Sequence, residues 1–188
     1  RNQLHALISM VSENVDRITE AIRADLGGPK FRGIGELLQV NDAKLCLKNL
    51  DDWAASETVK HSMTDIFGKS TVRKDPKGVI LLIAPWNYPV QLVLRPLTYI
   101  IAAGNCCIIK PSELSSNCAK LVEELITEYL DPSVCRVVQG AVPETTALLK
   151  LRYDHIVYTG NGAVAQIVME AAAKHLTPTT LELGGKSP

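Results

Sequence analysis

The chain is 188 residues long and 46% apolar, enough for a buried core in one or two domains and too apolar for a disordered tail. Its 20 Lys and Arg balance 20 Asp and Glu, so it lacks the basic excess that a nucleic-acid or anionic-membrane surface needs. A small-molecule ligand is the expectation that remains, with no nucleic acid among the partners.

In chain order, residues 3–25 place Leu4, Leu7, Ile8, Val11, Val15, Ile18 and Ile22 at spacings of three and four. Charges take the opposite face, which predicts one amphipathic helix, stopped by Gly27-Gly28-Pro29. Residues 34–55 predict a second, less regular helix ending near Trp53. From 62 to 77 the text is polar and punctuated by Gly68 and Pro76, as in a linker or an excursion.

The period then changes. VILLIA (79–84) is a continuous apolar run, as expected of a strand buried on both faces. Pro89 suits the first turn of a helix reaching about Ala103. CCIIK (106–110), VCRVV (134–138), HIVYT (155–159) and TTLEL (179–183) predict four further strands, with helices over 115–129, 143–151 and 162–175 between them. Five short strands alternating with helices predict an α/β domain over 78–188, with a Rossmann-like, mostly parallel sheet and right-handed crossovers. Residues 1–61 form its N-terminal helical segment and 62–77 the connection.

Cys46, Cys106, Cys107, Cys118 and Cys135 form no C-x-x-C and no Cys/His ligand cluster, which suits reduced thiols inside a cell and predicts no metal site. Cys106 and Cys107 alternate across a strand and read as small core residues. No apolar run approaches the ~20 residues of a membrane span. Arg1 already lies in a helical pattern, so any targeting signal falls outside this window.

Ligands of open α/β sheets sit beyond the carboxyl ends of the strands. Those ends read APWNYP (84–89), KPSE (110–113), TGNGAVA (159–165) and ELGGK (182–186), and they hold almost every unusual polar residue of this half. TGNGAVA opens a helix after a strand, in the pattern Gly160-x-Gly162-x-x-Ala165. Its glycines either admit a phosphate to the backbone or merely relieve a tight turn. Lys110 and Glu113 read either as partners for phosphate and ribose hydroxyls or as helix-start residues. Asn87 reads as an N-cap or as an amide donor to an oxyanion. Glu182, 22 residues after Gly160, reads as a ribose-binding acid or as a general base that its flanking leucines desolvate and make more basic. The four histidines lie on different elements and form no ligand pattern.

Together PWNYP (85–89), GNCCIIKPSE (104–113), YTGNG (158–162) and LELGGKSP (181–188) resemble the aldehyde dehydrogenase superfamily, in its order. GAVPETTALLK (140–150) and AAAKHLTPTTLELGGKSP (171–188) are similar to its class 3, or fatty-aldehyde, branch. The resemblance covers essentially the whole chain. It implies NAD(P)-dependent oxidation of a medium- or long-chain aliphatic or aromatic aldehyde to a carboxylic acid, through a cysteine thiohemiacetal and thioester. It assigns Asn87 to the oxyanion and Glu182 to the general base. Lys110 and Glu113 are implied to hold the adenosine ribose, Gly160, Asn161, Gly162, Ala163, Val164 and Ala165 to lie against the pyrophosphate, and Trp86 and Leu183 to lie near the nicotinamide. NAD is the preferred cofactor, since the Glu113 carboxylate opposes a 2′-phosphate, with NADP as the alternative.

Two departures stand out. Asn161-Gly162 replaces the Ser-Thr that usually follows the turn glycine, and Ala165 replaces the usual last glycine. None of the five cysteines lies in the family's Gly-Gln-x-Cys context, so no nucleophile is nominated. The expectation is therefore an N-terminal part of an aldehyde dehydrogenase, ending before the catalytic-cysteine domain and inactive alone. Its resemblance also implies a homodimer for the full-length protein, an oligomerisation role for 62–77, and an intracellular setting, cytoplasmic or on the cytoplasmic face of an organelle membrane. Membrane attachment would lie only in a C-terminus beyond this chain. A different class of reading is a non-catalytic dinucleotide-binding or subunit-interaction module. An acyl-transferring or semialdehyde relative is opposed by Glu182, a base such enzymes generally lack.

Overall fold

The computed structural model describes residues 1–38, 40–59, 68 and 70–185. The first apolar stripe forms two helices, not one: α1 (Asn2–Glu13) and α2 (Val15–Leu26). The break is Asn14, which is 6% exposed and stands inside the apolar stripe. Its Nδ2 donates to the Met10 carbonyl at 2.9 Å and to the Tyr129 hydroxyl at 3.1 Å, and its Oδ1 accepts from Arg17 at 2.9 Å. A buried carboxamide needs these partners, and the helix yields one residue to supply them. The second expected helix, 34–55, corresponds to α4 (Val40–Ala54), and a short helix α3 (Lys30–Gly35) precedes it. At Gly33 a Cβ would come within 2.8 Å of Thr19 Cγ2, so the missing side chain lets α3 lie close against α2.

Within and before the stretch expected as a linker, β1 (Glu57–Thr58) pairs antiparallel with β2 (Thr71–Val72). Residues 62–67 and 69 of the stretch expected as a linker or excursion lie outside the described residues.

The main sheet holds β3 (Val79–Ile83), β4 (Cys106–Lys110), β5 (Cys135–Val137), β6 (His155–Gly160) and β7 (Thr179–Leu183). Its order is β5-β4-β3-β6-β7, and each of the four pairings is parallel. The crossover helices are α5 (Gln91–Ala102), α6 (Ser116–Tyr129), α7 (Val142–Leu148) and α8 (Gly162–Ala173). On β3, Ile80 and Leu82 join the core beneath α1, α2, α5 and α6, while Leu81 and Ile83 join a second core with α8 and the end of α7. Alternation therefore gives Ile80, Leu81, Leu82 and Ile83 each a core to face, while Val79 at the strand start is exposed. Leu81 and Leu82 are fully buried, each contributing about 1.5–3 kcal/mol over exposure. The chain moves outward from β3 through β4 to β5, then returns to β6 on the other flank of β3. The switch in strand order thus falls between β3 and β6, and a crevice is expected at their carboxyl ends.

Two carboxylates tie the helical segment to this sheet. Asp25, near the end of α2, accepts from Asn117 N at 3.1 Å, Asn117 Nδ2 at 2.7 Å and Cys118 N at 2.8 Å, at the start of α6. Glu36, between α3 and α4, accepts from Val90 N at 3.0 Å and Gln91 N at 3.1 Å, at the start of α5. Both satisfy N–H groups that a helix leaves without intrahelical partners.

Candidate functional site

A cleft of about 620 Å³ lies over the carboxyl ends of β3, β4, β6 and β7, at the topological switch. Nine of the twelve site residues expected from sequence line it, so residues up to 97 positions apart, Trp86 and Leu183, converge on one hollow.

From β3 come Trp86 and Asn87, both exposed in a bend before α5. The two readings of Asn87 separate here. The residue at the cap position of α5 is Val90, with no side-chain cap bond, and the first N–H groups are served by Glu36. The Asn87 carboxamide is therefore not used as an N-cap, and it borders the cleft.

From β4 come Lys110 and Glu113. Lys110 is 3% exposed, and its Nζ donates to the Pro111 carbonyl at 2.6 Å and to Glu113 Oε2 at 3.3 Å. The helix-start reading falls to Ser112, whose Oγ accepts from Leu114 N at 3.3 Å. The lysine and glutamate are left as an ion pair in the cleft wall.

From β6 come Gly160, Asn161 and Val164. At Gly160 a Cβ would overlap the Tyr158 hydroxyl, so protein packing alone requires this glycine. At Gly162 a Cβ would meet nothing within 4 Å, so packing does not require that one. Asn161 caps α8, its Oδ1 accepting from Val164 N at 2.9 Å. The N–H groups of Gly162 and Ala163 precede any intrahelical acceptor and carry the positive end of the helix dipole. Gly162 and Ala163 are exposed beside the cleft without lining it, and Ala165, 2% exposed, packs into the core with Val168 and Ala172.

From β7 come Glu182, Leu183 and Gly184. The expectation that flanking leucines desolvate Glu182 is corrected: its side chain is exposed. β7 is an edge strand, and Glu182 points to the face opposite its two leucine neighbours.

One wall went unforeseen. Ala141, Val142, Thr145, Thr146 and Leu149, in and around α7, close the side of the cleft next to Lys110. The signal existed, because α7 follows β5 and the strand-end rule applies to that strand as well. Glu144 secures this wall: its Oε2 accepts from Ala141 N at 2.8 Å, and that bond leads in holding its carboxyl below the ordinary value.

The cysteines stand apart. Cys46, Cys107, Cys118 and Cys135 are buried, Cys106 is half-buried, and none lines the cleft. Burial, followed by the neighbouring Cys106 thiol and Asp131, pushes Cys135 up to about 12. Among the described residues, no three His, Cys, Asp or Glu side chains are grouped to hold a metal ion, and no helix is long and apolar enough to cross a membrane.

Comparison with known proteins shows the family and the fold. The model of the aldehyde dehydrogenase family matches residues 1–188. Aldehyde dehydrogenase family 3 member A2 from Macaca fascicularis is 49% identical over 99% of this chain and 39% of its own length. The dimeric, NADP-preferring aldehyde dehydrogenase of Rattus norvegicus is 46% identical over 99% of this chain and 42% of its own. Among solved structures, the substrate-bound state of Staphylococcus aureus AldH superposes with a TM-score of 0.96 at 39% identity, covering 99% of this chain and 41% of that one. The chain thus spans about two fifths of the length of the relatives it matches.

Proposed function

This chain belongs to the aldehyde dehydrogenase family, and we propose that within a longer protein it holds NAD(P) and supplies two of the groups that oxidise an aldehyde to a carboxylic acid. The observation that carries this reading is convergence: Asn87 from the end of β3 and Glu182 from the end of β7 border one cleft with the Lys110–Glu113 pair.

The residues present fit a dinucleotide. Lys110 and Glu113 offer a donor and an acceptor for ribose hydroxyls. The first turn of α8 offers backbone N–H groups to a pyrophosphate, with open space at Gly162. Val142, Leu149, Val164 and Ile167 supply apolar surface, and Trp86 and Leu183 flank the nicotinamide end. When bound, the nicotinamide supplies the hydride acceptor. Glu113 disfavours a 2′-phosphate, so NAD is preferred and NADP is accepted at reduced affinity. The rat relative, named NADP-preferring, marks how far that balance moves within the family.

Asn87 presents an amide N–H to the oxygen of the aldehyde as it becomes an oxyanion on thiol attack. Glu182, as the carboxylate, takes a proton from the water that releases the acid from a thioester. Exposure of Glu182 leaves that carboxylate open to water. The thiol comes from outside this chain, since no cysteine here borders the cleft. The same fact supports a second reading for the 188 residues by themselves: a dinucleotide-binding module without turnover.

Stopped-flow measurement on the full-length enzyme tests the first reading. Glu182→Gln should keep a burst of about one NADH per site while steady turnover falls by a factor of about 10² or more. Steady turnover at the wild-type rate in that variant would overturn the role of Glu182. The 188-residue chain mixed with aldehyde and NAD should give no NADH.

A further inference from the structure

Asn87 is exposed in the bend between β3 and α5, and its carboxamide makes no hydrogen bond to another described residue. Its position is therefore set by the backbone on either side. On the β3 side the ladder holds it, with Ala84 N donating to the Lys110 carbonyl at 3.1 Å. On the α5 side the first turn must hold it. Leu92 N donates to the Tyr88 carbonyl at 3.0 Å, and Pro89 and Val90 are buried.

That first turn has no cap of its own. Tyr88, Pro89 and Val90 carry no side-chain acceptor suited to the role, and the first turn contains no acidic residue. The N–H groups of Val90 and Gln91 are met instead by one oxygen of Glu36, a side chain 1% exposed and 54 residues earlier in sequence. A buried carboxylate on the positive end of a 12-residue helix is held there by both hydrogen bonds and the dipole. It fixes α5 along its axis, and Asn87 is only three residues upstream of Val90.

We propose that Glu36 is a positioning residue for Asn87: it clamps the first turn of α5 and so sets where the Asn87 amide meets the developing oxyanion. The inference rests on the reading of Asn87 given above. The ribose and pyrophosphate contacts belong to β4, β6 and α8, which Glu36 does not clamp. Trp86 shares the bend with Asn87 but flanks only the nicotinamide end, so loss of the clamp should appear in turnover far more than in dinucleotide affinity.

The test is a double-mutant cycle in the full-length enzyme, with Glu36→Gln, Asn87→Ala and the pair, reading kcat, the NAD dissociation constant and the melting temperature. Glu36→Gln keeps shape and removes charge. It should lower kcat roughly 10-fold, the scale of a sub-ångström misplacement, with NAD affinity within about twofold. In the Asn87→Ala background, Glu36→Gln should lower kcat no further. The same loss with and without Asn87 would show a merely structural role and overturn the inference, as would wild-type kcat in Glu36→Gln. Wild-type kcat in Asn87→Ala would instead remove the reading beneath it. If Glu36→Gln does not accumulate as folded protein, Glu36→Asp, which keeps the charge on a shorter arm, carries the same cycle.

Discussion

The Lys110 ammonium, 3% exposed, lies 3.3 Å from the Glu113 carboxylate, which is 45% exposed. The two ends of this pair answer differently to truncation. Removing Glu113 leaves a buried cation with the Pro111 carbonyl as its remaining hydrogen-bond partner, whereas removing Lys110 leaves a carboxylate that water already reaches. Glu113→Ala should therefore cost on the order of 1–3 kcal/mol of stability. Lys110→Met should cost less in stability and weaken NAD by about tenfold or more. Glu113→Gln removes the charge opposed to a 2′-phosphate and should shift the ratio of NADP to NAD affinity toward NADP. Urea melts and cofactor titrations of the three variants check the ordering, and equal NADP discrimination in wild type and Glu113→Gln would sink it.

The two glycines of the β6–α8 turn make a separable pair. A Cβ at Gly160 would overlap the Tyr158 hydroxyl and come within 2.7 Å of its Cζ, and Tyr158 is 4% exposed with little room to withdraw. Gly160→Ala should cost about 1–3 kcal/mol by overpacking, a drop of roughly 2–4 °C in Tm for each kcal/mol. Gly162→Ala places its methyl in open space and should leave Tm unchanged or raised. If the cofactor pyrophosphate approaches that backbone, the same methyl should weaken NAD binding. Scanning calorimetry and NAD titration side by side give the answer. Undiminished NAD affinity in Gly162→Ala would count against the phosphate at this turn.

Much of the sheet was legible because β3, β4 and β6 are short, mainly apolar runs ended by a polar turn, and a central strand buried on two faces has no alternation to misread. The cleft was legible through the same rule, applied to four strand ends and not to the fifth, which is why the α7 wall was missed. Other features had weaker local signals. Asn14 interrupts an apolar stripe that continues in phase on both sides, so the break shows only as one polar residue in an apolar position. The β1–β2 ribbon is two residues wide, below what period can reveal. Glu36 and Asp25 act 54 and 92 residues along the chain, and no local pattern marks a cap supplied from so far. Glu182 misled because its neighbours in sequence face the other side of an edge strand.

Asp25 gives a pH prediction. Burial raises its carboxyl pKa, but the hydrogen bonds from the Cys118 backbone and Asn117 outweigh that and hold it below its ordinary 3.8. A group with a depressed folded value contributes stability that is present above its unfolded value and is lost as pH falls through the folded one. The difference in urea midpoint between wild type and Asp25→Asn should therefore hold steady from pH 8 down to about 5 and narrow below about 4. A gap of unchanged size at pH 3 would mean that the Asp25 charge does not stabilise the start of α6.

The thiols give the last prediction. Cys107 is raised well above its ordinary value by burial first, then by Cys135 and Cys106. Cys135 stands at about 12. Cys118 is raised by burial, then by its hydrogen bond to Asp25, and Cys46 by burial and then Asp42. A thiol at about 12 exposes only ~10⁻⁴ of its population as thiolate at pH 8, and the thiolate is the reacting form. Four of the five cysteines should accordingly resist maleimide in the folded state, and half-buried Cys106 should react first. Since none of the five borders the cleft, labelling Cys106 should leave NAD affinity unchanged. Intact-mass counting of adducts before and after adding urea checks both statements. Rapid labelling of a second native thiol would place one of these side chains nearer to solvent than the packed sheet allows, and lost NAD affinity after single labelling would tie Cys106 to the cofactor site.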